Sequence, residues 1–364
     1  MRRLVPIAII LSLFIFACEK PQDNEIPQNT DTAYQAVIGY YAPLIMDAFQ
    51  ECHDKALELK TATDYFESNR NEESLEALRT SLFNFRLAWI NVTPFRFGPG
   101  EGPTEDTDMT DEINSFPIDV DAIESNIISS AEPSRYDEQG LAALDYLLHR
   151  DYALALFTDG SNDAGEFAYL EEVVVRITDK ISELNSAWQG SYGSSFAANT
   201  GSFAGSGMSL LINNYIRDYE VLKREKVALP LGILTLGIPL PDHVEAPYAG
   251  YSAALAELHL ETSITWFYGG NENTPQEGSI YKAIQATGAF HGENTPLEEE
   301  IVNRFNLAHV EIQNLSDPLI DQIQNEPETV ETVYYSLQSV VPVIKADMPS
   351  SLGISITFND NDGD

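Results

Sequence analysis

Cysteine is nearly absent: the 364 residues hold two, Cys18 and Cys52. No framework of disulfides can be built from them, and if Cys18 is consumed elsewhere, Cys52 has no partner within the chain. Basic residues are scarce as well. There are 20 Lys and Arg against 57 Asp and Glu, a net charge of −37. A surface of that sign repels phosphate backbones and anionic lipid headgroups, so no nucleic-acid partner is expected. It favours cations, or is simply a well-solvated acidic face. Beyond the N-terminus no apolar run approaches the roughly 20 residues that span a bilayer. Several chemical fingerprints are missing too. There is no G-x-S-x-G elbow, no P-loop, no dinucleotide-binding glycine motif and no H-E-x-x-H. Strand-type alternation is rare, with Ile354–Phe358 its clearest instance.

What is present begins with Arg2 and Arg3 and an apolar stretch from Leu4 to Ala17. That stretch is too short to span a bilayer and reads as the core of a signal peptide. It ends in Ala17-Cys18, which resembles a bacterial lipobox, in which the cysteine thiol takes a diacylglyceryl group; the alternative is an ordinary signal with a chance cysteine. Residues 1–17 are thus expected to be removed. Residues 18–32, with Pro21, Pro27 and several acidic and amide side chains, are expected to form a flexible tether. The implied location is the cell envelope, with a lipid anchor in the outer membrane, on its periplasmic or surface face.

Chain 33–364 is longer than one core comfortably serves, which suggests two joined halves. Helical spacing dominates both. Leu75, Leu78, Leu82, Phe85 and Trp89 step by three and four, as do Val174, Ile177, Ile181, Leu184 and Trp188. Ile301, Phe305, Ala308, Ile312, Leu315, Leu319 and Ile323 extend the same spacing over a longer run. Gly98–Asp111, Ser191–Gly207 and Gly269–Ser279 read as breaker-rich loops. The expected fold is all-α, two helical-bundle halves covering 33–195 and 196–364, with minor irregular or short β segments.

Several segments, in order, resemble one family. These are Arg86-Leu87-Ala88-Trp89 with Phe95-Arg96-Phe97-Gly98-Pro99; Ile113 to Asp119; Gly140 to Leu148; Lys226 with Leu229-Pro230-Leu231-Gly232-Ile233; and Pro241 to Ser252, with Val244-Glu245 and Tyr248 to Ser252. Together they resemble imelysin-like proteins over nearly all of the mature chain. The tail from Leu352 to Asp364 is similar to the ending of lipoprotein members of that family. The resemblance implies a helical fold of two bundle-like halves, an envelope location and an association with iron uptake, with peptidase activity in the founding member.

One departure bears on that activity. The family's G-x-H-x-x-E places an imidazole and a carboxylate on one helix face, where they can share a metal or act as base and partner. Here the histidine position is Ala142 and the glutamate position is Asp145. Alanine offers no lone pair, so no catalytic residue is assigned. His149 lies four residues after Asp145, which makes Asp145 and His149 a possible metal pair or, alternatively, His149 a helix-end residue. His243, His259, His291 and His309 show no metal-ligand spacing to one another, and the ending Asp360–Asp364 copies only the start of a calcium loop. Arg96, Asp119, Asp145, Glu245 and Ser252 form the expected ligand-binding set, in a pocket between the halves. The alternative is that Arg96 ties loops together through Asp119 or Asp145. The leading expectation is a non-peptidase lipoprotein that binds a ligand or partner in iron uptake, with iron a possible cofactor and iron-uptake components possible partners. The rivals are a metal-dependent peptidase and a structural surface lipoprotein.

Overall fold

The apolar residues Tyr34, Val37, Ile38, Tyr41, Ile45, Phe49, Cys52, Ala56, Leu59 and Phe66 recur at helical spacing and are all buried. They form one stripe along α1 (Asn29–Ser68), a helix of 40 residues and about 60 Å. The computed structural model describes residues 29–104, 107–159, 162–271 and 273–358. Cys18, the signal segment, most of the tether and the Asp360–Asp364 ending lie outside the described residues; α1 begins at Asn29, within the stretch read as tether.

A short turn sends the chain back along α1 as α2 (Glu72–Val92). Its start is set by a capping box: Asn71 accepts from the Ser74 N–H at 3.1 Å, and Ser74 Oγ accepts from the Asn71 N–H at 3.2 Å. The chain continues with α3 (Met109–Asn114), α4 (Val120–Ser129), α5 (Gly140–His149), α6 (Ala153–Thr158), α7 (Asp163–Gln189) and α8 (Ser191–Ala198). Then come α9 (Gly207–Val221), a π-helical turn at Leu222–Ala228, α10 (Leu229–Leu231), α11 (Ser252–Phe267), α12 (Ile280–Thr287), α13 (Leu297–Ile312), α14 (Leu319–Asn325), α15 (Pro327–Pro342) and α16 (Met348–Ser351). The fold is all-α, and the strands β1 (Phe290–His291) and β2 (Thr295–Pro296) form its one small antiparallel pair among the described residues. No described helix is long and apolar enough to cross a membrane.

The α2 and α7 stripes are buried as their spacing predicts. Three expectations are corrected. Ser191–Gly207 is not a loop throughout: Tyr192 and Phe196, one turn apart, pack edge-on against Trp188 and order α8. The long run from Ile301 to Ile323 is two helices, because Asn314, Ser316, Asp317 and Pro318 interrupt it and Pro318 cannot donate. Ile354–Phe358 forms no strand. Its backbone bonds instead to a side-chain amide, with the Thr357 N–H donating to Asn213 Oδ1 at 2.8 Å and Asn213 Nδ2 donating to Ser355 O at 3.1 Å.

One large apolar core runs from Tyr34 to Ile354. Phe49 of α1 stacks on Trp188 of α7 at 5.4 Å, and Tyr41 of α1 meets Trp266 of α11 at 6.1 Å. Tyr41 also donates its hydroxyl to the Trp266 carbonyl. α1 is therefore shared between α7 and α11.

Gly140 opens α5 with φ +77°, and a Cβ there would sit 2.5 Å from the Ile113 carbonyl oxygen of α3. Gly140→Ala is expected to cost about 2 kcal/mol through backbone strain and the forced separation of α3 from α5. A urea midpoint indistinguishable from wild type would show that this contact is not tight.

Candidate functional site

The turn after α2 sorts its side chains by side. Phe95 packs edge-on against Trp266 at 4.6 Å; Phe97 packs edge-on against Trp188 at 5.7 Å and tilted against Phe196 at 5.4 Å. Arg96, between them, is directed at polar partners instead. Its guanidinium donates to Asp218 Oδ1 of α9 at 2.6 Å and to the Thr93 carbonyl at 3.1 Å. It also lies 3.5 Å from Asp108 Oδ2, which Arg217 of α9 reaches at 3.0 Å. The other Asp218 oxygen meets His259 Nε2 of α11 at 2.7 Å. Burial alone would raise the Asp218 carboxyl, but the adjacent His259 and Arg96 outweigh it and hold it at about 2. Burial pushes His259 down despite that carboxylate, and its Nδ1 has no hydrogen-bond partner among the described residues.

These groups line a cavity of about 380 Å³ between the end of α2 and α3 on one side and α9, the π-helical turn and α11 on the other. π-helical turns recur at functional sites, where the extra residue redirects side chains. This one brings Arg224, Glu225 and Lys226 to the cavity wall. Glu225 is exposed to the cavity, yet the wall around it desolvates its carboxyl and raises it, against the pull of Arg96.

A second buried network adjoins the first through Lys226. Its ammonium lies 2.6 Å from Glu245 Oε2, while Glu245 Oε1 accepts from Asn114 Nδ2 at 2.8 Å and lies 3.3 Å from Arg86 NH1. Burial opposes the Glu245 charge, but Lys226 and Arg86 prevail and hold the carboxyl at about 2. Arg86 also donates to the Leu141 carbonyl at 2.8 Å, joining α2 to α5.

Of the expected ligand set, Arg96 lines the cavity and Glu245 stands directly behind it, paired to the lining residues Lys226 and Asn114. Ser252 is the buried first residue of α11. Asp119 is elsewhere: it caps α4, accepting from the Ala122 N–H at 3.0 Å, and pairs with Arg135 at 2.6 Å. The expected tie from Arg96 to Asp119 or Asp145 is not made, because Asp218 and Asp108 take the guanidinium.

Asp145 is fully buried and accepts from the backbone N–H groups of Tyr248 at 2.9 Å and Ala249 at 3.2 Å. Burial raises its carboxyl to about 6. His149, the last residue of α5, has Nδ1 3.1 Å from the Asp145 carbonyl and 3.5 Å from Asp145 Oδ1, and burial pushes it down to about 4. The carboxylate that could have served a metal thus clamps the Tyr248–Ala249 backbone. Asp218, Asp108 and His259 were missed because nothing near them in sequence marks them. Asn114 and Lys226 did sit inside the segments that carried the family resemblance.

The family model for imelysin, peptidase family M75, matches residues 45–342. The chain belongs to the imelysin family. Two solved structures share its fold. One, from Parabacteroides distasonis ATCC 8503, is described as an iron-regulated protein A precursor. It is 15% identical, with a TM-score of 0.74 over 88% of this chain and 95% of that one. The other is an imelysin-like protein from Psychrobacter arcticum 273-4, 18% identical, with a TM-score of 0.68 over 90% and 98% of the respective chains. No curated protein matches significantly. In this family member, the position assigned to the motif histidine is the buried Ala142, and the cavity lies instead against the end of the adjoining helix α2.

Proposed function

We propose that this protein is a lipid-anchored envelope protein that binds a small polar solute in the cavity between its halves and does not hydrolyse peptides. The observation that carries the reading is the cavity lining. Four of the chain's 20 basic residues, Arg96, Arg217, Arg224 and Lys226, meet there with five carboxylates and His259. A wall of both signs suits a solute carrying anionic oxygens together with a cationic or metal-bound centre, such as a ferric chelate. The name of the Parabacteroides structure supports an iron-uptake setting, and Ala17-Cys18 supports the anchor. The absence of a lone pair at Ala142, with Asp145 committed to backbone N–H groups, argues against the peptidase reading.

The test is a titration of the detergent-solubilised full chain with ferric citrate and with haem, beside the variants Arg217→Ala and Glu225→Gln. Saturable binding, weakened about tenfold or more by Arg217→Ala, is expected from loss of one charge-assisted contact. Binding that neither variant alters would place the ligand elsewhere. Cleavage of casein by the purified protein would overturn the non-peptidase reading.

A further inference from the structure

We propose that Glu257 and Glu261 of α11 and His309 of α13 form a surface site for a divalent transition-metal ion, separate from the cavity between the halves. The two glutamates are one helical turn apart and His309 faces them from the neighbouring helix, with one donor atom from each within 4.8 Å of the others. His309 Nε2 lies 3.2 Å from Glu261 Oε1. Donors bound to a metal at about 2.1 Å in a tetrahedron stand about 3.4 Å apart. The His–Glu261 pair already has that separation, and Glu257 needs only a turn of its flexible stem to join.

The surroundings leave these charges uncompensated. Like charges at i and i+4 on one helix repel. Among the described residues the Glu257 carboxylate has no hydrogen bond or ion pair, and Glu261 has only His309. The nearby cation, Lys55, is turned to Glu58 at 2.9 Å. Glu261 and His309 border a crevice of about 860 Å³, which leaves room for the waters that complete a coordination shell. One imidazole with two carboxylates suits zinc, nickel, copper or iron; calcium and magnesium prefer oxygen donors alone. His259, two residues from both ends of this pair, faces the other way, toward Asp218.

The experiment is a Co²⁺ titration of the EDTA-treated, detergent-solubilised full chain, followed by its visible absorption, with Zn²⁺ as competitor. One equivalent is expected to bind and to be displaced by Zn²⁺. His309→Ala and Glu257→Gln are each expected to weaken binding tenfold or more, with circular dichroism unchanged. Arg217→Ala, in the cavity, is expected to leave it unaltered, so this site stands or falls independently of the solute-binding reading. No saturable binding by the wild-type protein, or equal binding by His309→Ala, would overturn the proposal.

Discussion

Glu245→Ala is expected to lower the unfolding free energy by about 3–5 kcal/mol, the range for breaking a buried ion pair from one side. The carboxylate is 2% exposed and compensates two cations, Arg86 and Lys226, which are themselves 1% and 6% exposed at the side chain. Removing it strands both in a medium that cannot solvate them and leaves Asn114 without its acceptor. Glu245→Gln should cost less, since the amide oxygen can still accept from Asn114, but it still leaves the cations unpaired. Asp119→Ala, at an exposed pair, serves as the contrast: it loses a helix-capping bond and should cost clearly less than Glu245→Ala. Urea unfolding of the three variants decides the matter. A loss below about 1 kcal/mol for Glu245→Ala would mean that water reaches this network.

The second large effect is a pH dependence that only appears once one of two opposed groups is removed. Unfolded, Asp145 titrates near 3.8; folded, burial holds it at about 6. Between those values the folded chain binds a proton that the unfolded chain has released, so this group's contribution to stability falls as pH rises. His149 runs the other way, with a folded value of about 4 against 6.5 unfolded. Between 4 and 6.5 the unfolded chain holds the extra proton, and stability is lost on acidification. At about 1.4 kcal/mol per unit, each contributes about 3 kcal/mol, with opposite signs. The wild-type profile across this window should therefore be nearly flat from this pair. Asp145→Asn should lose stability by about 3 kcal/mol more than wild type from pH 7 to 4, and His149→Leu should gain about as much over the same change. Urea midpoints measured across that range test it; parallel profiles for the three proteins would sink it.

Much of the fold was legible from spacing. The stripes ending in Trp89 and Trp188 are buried in full, because a helix face of that apolarity has to meet another. The misreadings share a cause. Ser191–Gly207 has loop composition, but two aromatic residues one turn apart outweighed it. Asn213, which bonds the backbone of Ser355 and Thr357, lies more than 140 residues from them, so local alternation near Ile354 could not reveal its partner. The site divides in the same way. Arg96 lay in a segment that carried the family resemblance, yet its partner Asp218 is 122 residues away. Asp119 was misjudged because an aspartate three residues before a backbone N–H fits a helix cap as well as it fits a ligand. Single histidines such as His309 acquire neighbours only when helices pack.

The shared helix α1 also constrains the order in which the molecule can be completed. Its Tyr34 hydroxyl donates to the carbonyl of Leu352, a closure across 318 residues. Its Tyr40 hydroxyl donates to the Gly269 carbonyl at 2.8 Å. A ribosome delivers α1 first and its last partners near the end of synthesis, so the helix keeps part of its apolar stripe uncovered for most of translation. Contacts this distant in sequence also close slowly. The contacts of α1 with α9, α12 and the Leu352 carbonyl therefore close last, whereas those with α2, α7 and α8 can form once residue 198 exists.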